Sequence, residues 1–297
     1  MNGSFYAWSW YLDSVCDDWE VLMEGDYESA MILPVKKKYN ISYLSQPFLA
    51  KQLGIYSINN LSKEKSHKFL QSIPDKFKWT KLHMNKFNQI QLSNWKESKQ
   101  KVFELDLILK ANKLSQKVSK YTQNMLIKAN HEGFSQIKDL SPNDYIKLWK
   151  SVTGNTRSNA SEEENTIRRV LSKGIQHRVC KIQGVFSKFN NLVCCGVFFN
   201  FQRKITLLSF VNDSNEKDLR ALTWMISKFI HENAGKNLTL RFELPEYQNI
   251  FYFRKKYKKR NQELSEIFSG FGAQTFSYPI IESKDSSFWI KFMKPFL

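Results

Sequence analysis

The sequence predicts an α/β chain of the α+β type. We expect two units, each a mixed, mainly antiparallel sheet with flanking helices, packed as one body. Strand, helix and strand patterns follow one another in the same order twice, with an offset of about 160 residues. No Gly/Ser-rich linker separates the two copies, which favours direct packing between them.

The first copy begins with three strand patterns separated by turn signals, at residues 19–24, 29–36 and 41–44. An amphipathic helix over residues 62–72 ends before Pro74. A further strand pattern covers residues 77–85. The order of these patterns predicts a sheet with a crossover helix.

The middle of the chain is predicted to be helical. Residues 113–131 show a 3.6-residue apolar period and end at Gly133, a helix stop signal. Two capping patterns, Ser141-Pro142 and Ser161-x-x-Glu164, begin further helices. We therefore divide the chain between Gly133 and Ser141, into units of residues 1–136 and 137–297.

The second copy repeats the strands at residues 181–186, 192–201 and 205–211. An amphipathic helix over residues 214–233 and a strand over 238–243 follow. Residues 251–261 read as an insertion before a final helix, which closes on Phe268-Ser-Gly-Phe-Gly-Ala273 ahead of a last strand. The similarity between the copies lies in this order of elements, because residue identity between them is negligible.

Charge is the strongest bias in the composition. The chain has 45 basic and 28 acidic residues, which gives a net charge of +17. Such a balance predicts an anionic partner: a phosphate-bearing cofactor, a nucleic acid or a membrane surface. Much of the excess lies in two runs, at residues 36–38 and 254–260, for which solvated faces are the plain alternative.

Cysteine usage and hydropathy predict a compartment. The four cysteines, Cys16, Cys180, Cys194 and Cys195, form no C-x-x-C pair, which favours buried free thiols in a reducing environment. The first residues lack a signal-peptide pattern, and no apolar run approaches the roughly 20 residues that span a bilayer. We expect a cytoplasmic protein without a transmembrane segment.

Several short motifs, in this order, resemble bacterial members of the GNAT acyltransferase superfamily, and specifically its tandem, Fem-type branch. The motifs are Trp19-Glu-Val-Leu, Gly25-Asp26, Leu33-Pro-Val35, Tyr43, Gln52-Leu-Gly54, Ile127-Lys-Ala129 followed by Gly133, Phe242-Glu243, Phe271-Gly-Ala273 and Tyr278. The resemblance covers most of the chain and implies two GNAT-like units. It also implies transfer of an acyl group from acyl-CoA, such as acetyl-CoA, to an amine of a small molecule or peptide.

The sequence departs from that pattern where a GNAT domain binds pyrophosphate. The family uses a Gly-rich turn at a helix N-terminus, where backbone N–H groups approach the phosphates. The corresponding turn in the second unit, residues 211–216, has no glycine and two acids. In the first unit Gln52-x-Gly54 keeps a fragment of the turn, so Gln52 and Gly54 are the predicted cofactor-binding residues.

Acyl transfer to an amine needs a group that takes the amine proton and a donor to the leaving group. The resemblance implies that Glu243, at the end of the strand beside the splay where GNAT substrates meet, is the base. It also implies a tyrosine proton donor in the region of Tyr252 and Tyr257, and Tyr252 is the predicted one. A strand-end acid is otherwise a cap or a surface residue, and Tyr252 is otherwise a phosphate contact. The histidines show no i, i+4 pair, so no metal site is predicted.

The second basic run is the predicted anion site. Its members are Arg254, Lys255, Lys256, Lys258, Lys259 and Arg260. Aromatic residues, Tyr252, Phe253 and Tyr257, lie among them, an arrangement suited to RNA such as a tRNA acceptor end or to the 3′-phosphate of CoA.

Three interpretations of the function follow. The first is an N-acyltransferase that uses acyl-CoA or, as a Fem-type enzyme, an aminoacyl-tRNA. The second is a non-catalytic GNAT-derived binding protein with a basic surface for anions or RNA, favoured by the glycine-free turn. The third is a basic α/β protein unrelated to this superfamily.

Overall fold

A computed structural model describes residues 3–90, 94–153, 160–213, 219–245 and 254–283, and only the backbone of 254–258. The chain forms two compact units. One contains Met1–Lys101 together with Phe276–Leu297, and the other contains Val102–Thr275. The last strand of the chain therefore belongs largely to the first unit.

The elements are, in chain order, α1 (Ser9–Val15), β1 (Asp18–Glu24), β2 (Ser29–Lys38), β3 (Ile41–Ser45), β4 (Ile55–Ser57), α2 (Lys63–Gln71), β5 (Thr80–His83), β6 (Trp95–Asp106), α3 (Ala111–Gln116), α4 (Lys120–Asn130), β7 (Ser135–Ile137), α5 (Pro142–Thr153), α6 (Ala160–Gln176), β8 (Cys180–Phe186), β9 (Leu192–Phe201), β10 (Lys204–Asn212), α7 (Arg220–Asn233), β11 (Thr239–Glu243), α8 (Arg254–Gly270) and β12 (Gln274–Ser283).

The sheet of the first unit has the strand order β1-β2-β3-β5-β12, and β4 pairs with β2. The β3–β5 pair is parallel; β2 is antiparallel to each of its partners, and β12 is antiparallel to β5. Helix α2 lies within the predicted range of residues 62–72, and Ser62 caps it, since its side chain accepts a hydrogen bond from the Lys65 N–H. Its Phe69 and Leu70 join a core that also contains Leu33 and Ile281.

The sheet of the second unit has the strand order β6-β11-β10-β9-β8-β7 and is antiparallel except for β10–β11. One face carries the main core with α4, α7 and α8, where Phe242 stacks on Phe268 with ring centroids 4.7 Å apart. Helices α5 and α6 cover the opposite face of β8, β9 and β10. The sheet is thus a central layer between helices.

The predicted fold class, α/β with mixed, mainly antiparallel sheets and flanking helices, is confirmed. Strand β9 has the predicted bounds, β8 and β11 differ from prediction by one residue at one end, and β10 is one residue longer at each end. The four cysteines are buried and free, as expected. Burial raises the pKa of the Cys16, Cys180 and Cys195 thiols to about 12, so they stay protonated near neutral pH.

The predicted helix over residues 113–131 is wrong, because α3 and α4 are separate helices. Ser119 caps α4 through its hydroxyl, which accepts from the Thr122 N–H, and its own N–H donates to the Gly270 carbonyl at 2.7 Å. This bond comes from the distant end of α8, so the local apolar period could not reveal the break.

The basic run from Arg254 was predicted to lie in an insertion, and this too is corrected. Residues from Arg254 to Gly270 form one helix, α8. The seven residues of the run contain a single apolar residue, so no 3.6-residue period was visible there, and like charges at i, i+4 disfavour an isolated helix.

The predicted division between residues 136 and 137 falls inside the second compact unit. Residues from Val102 to Asp106 pair with β11, and α4 packs on α7 and α8. These contacts join the middle of the chain to its second half. The division into residues 1–136 and 137–297 remains a prediction about the internal repeat.

In the part of the chain that the structure describes, no helix is long and apolar enough to cross a membrane. The same residues contain no group of three or more His, Cys, Asp or Glu side chains that could hold a metal ion.

Candidate functional site

Strands β10 and β11 of the second unit form a fork. They pair in parallel from Lys204–Thr239 to Leu207–Phe242. Beyond that point, residues 209–212 of β10 pair with β9, and no pairing with β11 is present among the described residues. The two strands therefore separate at Leu207 and Phe242, and the facing edge of β10 is left without a strand partner in the described chain.

A β-bulge in β10 lies at the fork. The register of β10 against β9 shifts between Leu207 and Ser209, which adds one residue to β10. Ser209 consequently shares the face of Thr206, and its hydroxyl lies 2.8 Å from the Tyr145 hydroxyl of α5. Burial raises the pKa of Tyr145, so its hydroxyl stays protonated and fixes α5 against the bulge.

Glu243 is the residue that follows the last β10–β11 pair, and it is therefore at the fork, as predicted for the base. Its carboxylate Oε1 lies 3.0 Å from Nε of Arg241, two residues earlier on the same face of β11. The Glu243 side chain is 1% exposed and the Arg241 side chain is 8% exposed. The predicted base is thus a buried carboxylate in an ion pair.

Two further charged residues extend this pair into a cluster across three strands. Glu104 on β6 is directly opposite Arg241 in the antiparallel register. Its carboxylate lies 3.5 Å from the Lys204 amino group of β10. Two carboxylates and two cations, Glu104, Lys204, Arg241 and Glu243, thus share the sheet face opposite to the Phe103 and Phe242 core. The described residues give this cluster a formal charge of zero.

Sequence reasoning found Glu243 but missed Glu104, Lys204 and Arg241. Strand β6 was not predicted, because its first seven residues are mostly charged or polar and hide the strand pattern. A signal was present further on, where Val102-Phe-Glu-Leu-Asp106 alternates apolar and acidic residues. Partners that meet across three strands could not be identified without the register.

The equivalent place in the first unit is closed by the chain itself. The parallel β3–β5 pairing ends at Ser45–Lys81. Next along the chain, the Gln46 N–H donates to the Lys81 carbonyl at 3.1 Å, and Gln46 Oε1 accepts from the His83 N–H at 2.9 Å. The Leu53 N–H then donates to the His83 carbonyl at 2.8 Å. The edge of β5 is therefore occupied, in contrast to the edge of β10.

The predicted cofactor residues, Gln52 and Gly54, lie in the segment that follows this closure. Gln52 is buried. Gly54 has φ +88°, and a Cβ atom there would lie 2.3 Å from Oδ1 of Asn88 and 3.0 Å from Cε of Met84. Close packing is thus a structural reason for a glycine at position 54. Cofactor binding by Gln52 and Gly54 stays a prediction.

The predicted anion site is on α8. Of its six basic residues, Arg254, Lys255, Lys256 and Lys258 have a described backbone only, and Lys259 and Arg260 have described side chains. Lys259 is exposed and Arg260 is half-buried. The predicted proton donor Tyr252 lies outside the described residues. Anion binding and proton donation therefore stay predictions.

The turn that follows β10 is described only as far as Asp213. The Asp213 N–H donates to the Val193 carbonyl at 2.8 Å, so this amide is engaged within the sheet. A pyrophosphate would also meet the Asp213 carboxylate there. Asp213, the one described residue of this turn, offers a carboxylate and an engaged amide, which is unfavourable for a diphosphate.

No protein-family model matches the chain, and no curated protein matches its sequence. Solved structures do match. FemX is similar over 94% of this chain and 92% of its own, with 10% identity and a TM-score of 0.56. L-PGS from Bacillus licheniformis is similar over 96% and 90%, with 10% identity and a TM-score of 0.54. A conserved protein of unknown function from Bacteroides thetaiotaomicron VPI-5482 is similar over 94% and 90%, with 9% identity and a TM-score of 0.51.

At these identities the likeness concerns the fold alone. The chain shares the fold of FemX and L-PGS over nearly its whole length, which agrees with the fold that the sequence resemblance implies.

Proposed function

We propose that the protein is an N-acyltransferase that binds its acyl donor at the β10–β11 fork of the second unit. The observation that supports this proposal is the difference between the two units: among the described residues no strand pairs with β10 on its β11 side beyond Leu207, whereas Gln46 and Leu53 bond to the β5 edge. An open strand edge offers backbone N–H and C=O groups to an extended amide-containing arm.

Glu243 is the proposed base. It is one residue past the last pair of the fork, and in this proposal the amine that meets the donor carbonyl lies beside its carboxylate. The amine nitrogen forms a bond to the carbonyl carbon, the bond to the leaving sulfur or oxygen breaks, and the amine proton passes to Glu243. Arg241, 3.0 Å away, orients the carboxylate before the reaction.

The donor is acyl-CoA in the first form of this proposal. The poor fit of the described turn to a diphosphate means that cations elsewhere must hold the phosphates, and the basic run on α8 is the proposed source. An aminoacyl-tRNA donor is the second form. The same run favours it, because basic and aromatic residues in one segment suit an RNA end.

The test is isothermal titration of the full chain with acetyl-CoA, longer acyl-CoAs and free CoA. Binding at the fork predicts that Gln52→Ala keeps the wild-type affinity, whereas Lys259→Gln/Arg260→Gln weakens it. Glu243→Gln should bind normally and lose about 10²- to 10⁴-fold in turnover, which is the range for a general base. Turnover is measured as thiol release with a panel of small amines and N-terminal peptides.

Two outcomes contradict the proposal in its acyl-CoA form. Loss of binding in Gln52→Ala, with a native circular dichroism spectrum, places the donor on the first unit. Absence of binding to every CoA species leaves the aminoacyl-tRNA donor, to be tested with charged tRNA, and the non-catalytic binding protein.

A further inference from the structure

A pocket of about 200 Å³ opens in the helix layer of the second unit, on the sheet face opposite to Glu243. It lies between α3, α4, α7 and the end of α8. Its apolar wall consists of Leu114, Val118, Leu126, Ile230 and Phe271. Ser227 and His231 of α7 are among the polar residues that line it. The pocket thus combines an apolar interior with polar groups.

Tight backbone contacts hold the walls of this pocket. The Ser119 N–H donates to the Gly270 carbonyl at 2.7 Å, which fixes the α3–α4 junction on the end of α8. A Cβ atom at Gly270 would lie 2.7 Å from the Ser119 hydroxyl and closer still to the Thr122 hydroxyl. Such an approach leaves no room for the helices to close in, so the pocket is pre-formed.

Two of the helices around the pocket, α3 and α4, carry charge of one sign. The segment from residue 107 to 131, which contains α3 and α4, has no acidic residue and five lysines, at positions 110, 113, 117, 120 and 128. Lys117 lies beside Gly272, the residue after Phe271, because a Cβ atom at Gly272 would lie 3.2 Å from the Lys117 Cβ. The nearest acid in the sequence of α7, Glu232, already forms an ion pair with Lys138 at 3.0 Å.

We propose that this pocket binds an amphipathic monoanion, namely a carboxylate with an alkyl chain or a phenyl ring. A cavity of about 150 Å³ accepts benzene, so a cavity of this size accommodates an apolar group of about six to eight carbons. The apolar wall buries that group, and the lysines of α3 and α4 attract its carboxylate.

This site is separate from the proposed donor site. Beyond the fork, β10 continues to Asn212, and α7 begins at Arg220 as the next element of the chain. Ser227 and His231 lie in the C-terminal half of α7. Eleven residues from Arg220 to His231 correspond to about 16 Å along a helix. The anion is therefore a second ligand of the protein, and its binding does not depend on acyl transfer.

The test is isothermal titration of the full chain with octanoate, and with acetate and octylammonium as matched probes. Octanoate should bind, and both other probes should bind at least tenfold more weakly, because one lacks the chain and the other has the wrong charge. Ser227→Phe and the milder Ser227→Leu fill the pocket and should each weaken octanoate binding more than tenfold. Lys117→Gln should weaken it about two- to fivefold, as for an exposed charge pair.

Lys181→Gln is the control, since Lys181 is exposed on β8, which contributes no residue to the pocket. Three results would overturn the proposal: no octanoate binding at millimolar concentration, octylammonium bound as tightly as octanoate, or wild-type affinity in Ser227→Leu with a native circular dichroism spectrum. An equal loss in Lys181→Gln and Lys117→Gln would also overturn it, because the effect would then come from net charge.

Discussion

At the scale of the residue, Gly54 shows how a fragment of a functional motif is also explained by packing. Its φ of +88° favours glycine, and Asn88 and Met84 occupy the space of a side chain. Asn88 uses its amide to bond the Ile55 N–H and carbonyl, at 2.9 and 2.8 Å. A larger residue at Gly54 would disturb this arrangement whether or not a cofactor binds.

Gly54→Ala should therefore lower the free energy of unfolding by about 2–5 kcal/mol, from backbone strain and overpacking together. Gly235→Ala is the matched control, since Gly235 has φ +80° and nothing within 4 Å of a built Cβ atom. Strain alone should cost about 1–2 kcal/mol there. Urea unfolding of both variants gives the comparison, and equal costs would show that Asn88 moves away without penalty.

At the scale of the element, strand β11 places alternate residues in two environments. Leu240 and Phe242 enter the apolar core, and Arg241 and Glu243 form a buried ion pair on the other face. A buried pair contributes little net stability, but loss of one partner is costly, because the other charge is left in a poorly solvated place.

Arg241→Met and Glu243→Leu should each lower the free energy of unfolding by about 3–5 kcal/mol. The double variant should cost at least 1 kcal/mol less than the sum, because no buried charge remains without its counterpart. The same comparison of two single variants with the double variant, made on the exposed Lys76–Glu20 pair, is the control; its side chains are 54% and 39% exposed. Its coupling should stay below about 1 kcal/mol. If the loss in the double variant equalled the sum of the losses in Arg241→Met and Glu243→Leu, the two side chains would not stabilise each other.

The end of α8 is a second case at this scale. The Gly-Phe-Gly-Ala sequence, a landmark of the family resemblance, ends α8 against the α3–α4 junction. Gly272 has φ +89° and Gly270 lies against Thr122. The motif therefore has a packing role in this chain, and the pocket proposed above lies beside it.

At the scale of the whole molecule, a net charge of +17 predicts attraction to polyanions that weakens with salt. The logarithm of the affinity for a single-stranded RNA should fall linearly with the logarithm of salt concentration. Lys259→Gln/Arg260→Gln should reduce the magnitude of that slope by about 1.4, if both side chains contact phosphate. The measurement is fluorescence anisotropy of a labelled oligonucleotide over a salt series.

The matched control for the α8 variant is Lys37→Gln/Lys38→Gln, which removes two charges from the other basic run, on β2. A local anion site on α8 predicts no change of slope in this variant. Equal changes in both variants would mean that the attraction comes from the overall charge, which would remove the specific RNA surface from the binding-protein interpretation.

The sequence by itself determined the class of fold and most elements, because the relevant signals are local. Strand patterns located β8 to β11, and the Ser141-Pro142 capping pattern located the start of α5. Glu243 could be singled out because the end of a strand is itself a local feature. The fold resemblance also depended on motif order along the chain, which needs no contacts.

Only the tertiary structure decided which residues share the candidate site. Glu104, Lys204 and Arg241 meet Glu243 through the register of three strands, which the charged first half of β6 concealed. The break between α3 and α4 depends on the Gly270 carbonyl, more than a hundred residues away. The open and closed strand edges also arise from long-range pairing. Hydrogen bonds and ion pairs between distant segments leave no periodic pattern in the sequence, so these features could be known only from the fold.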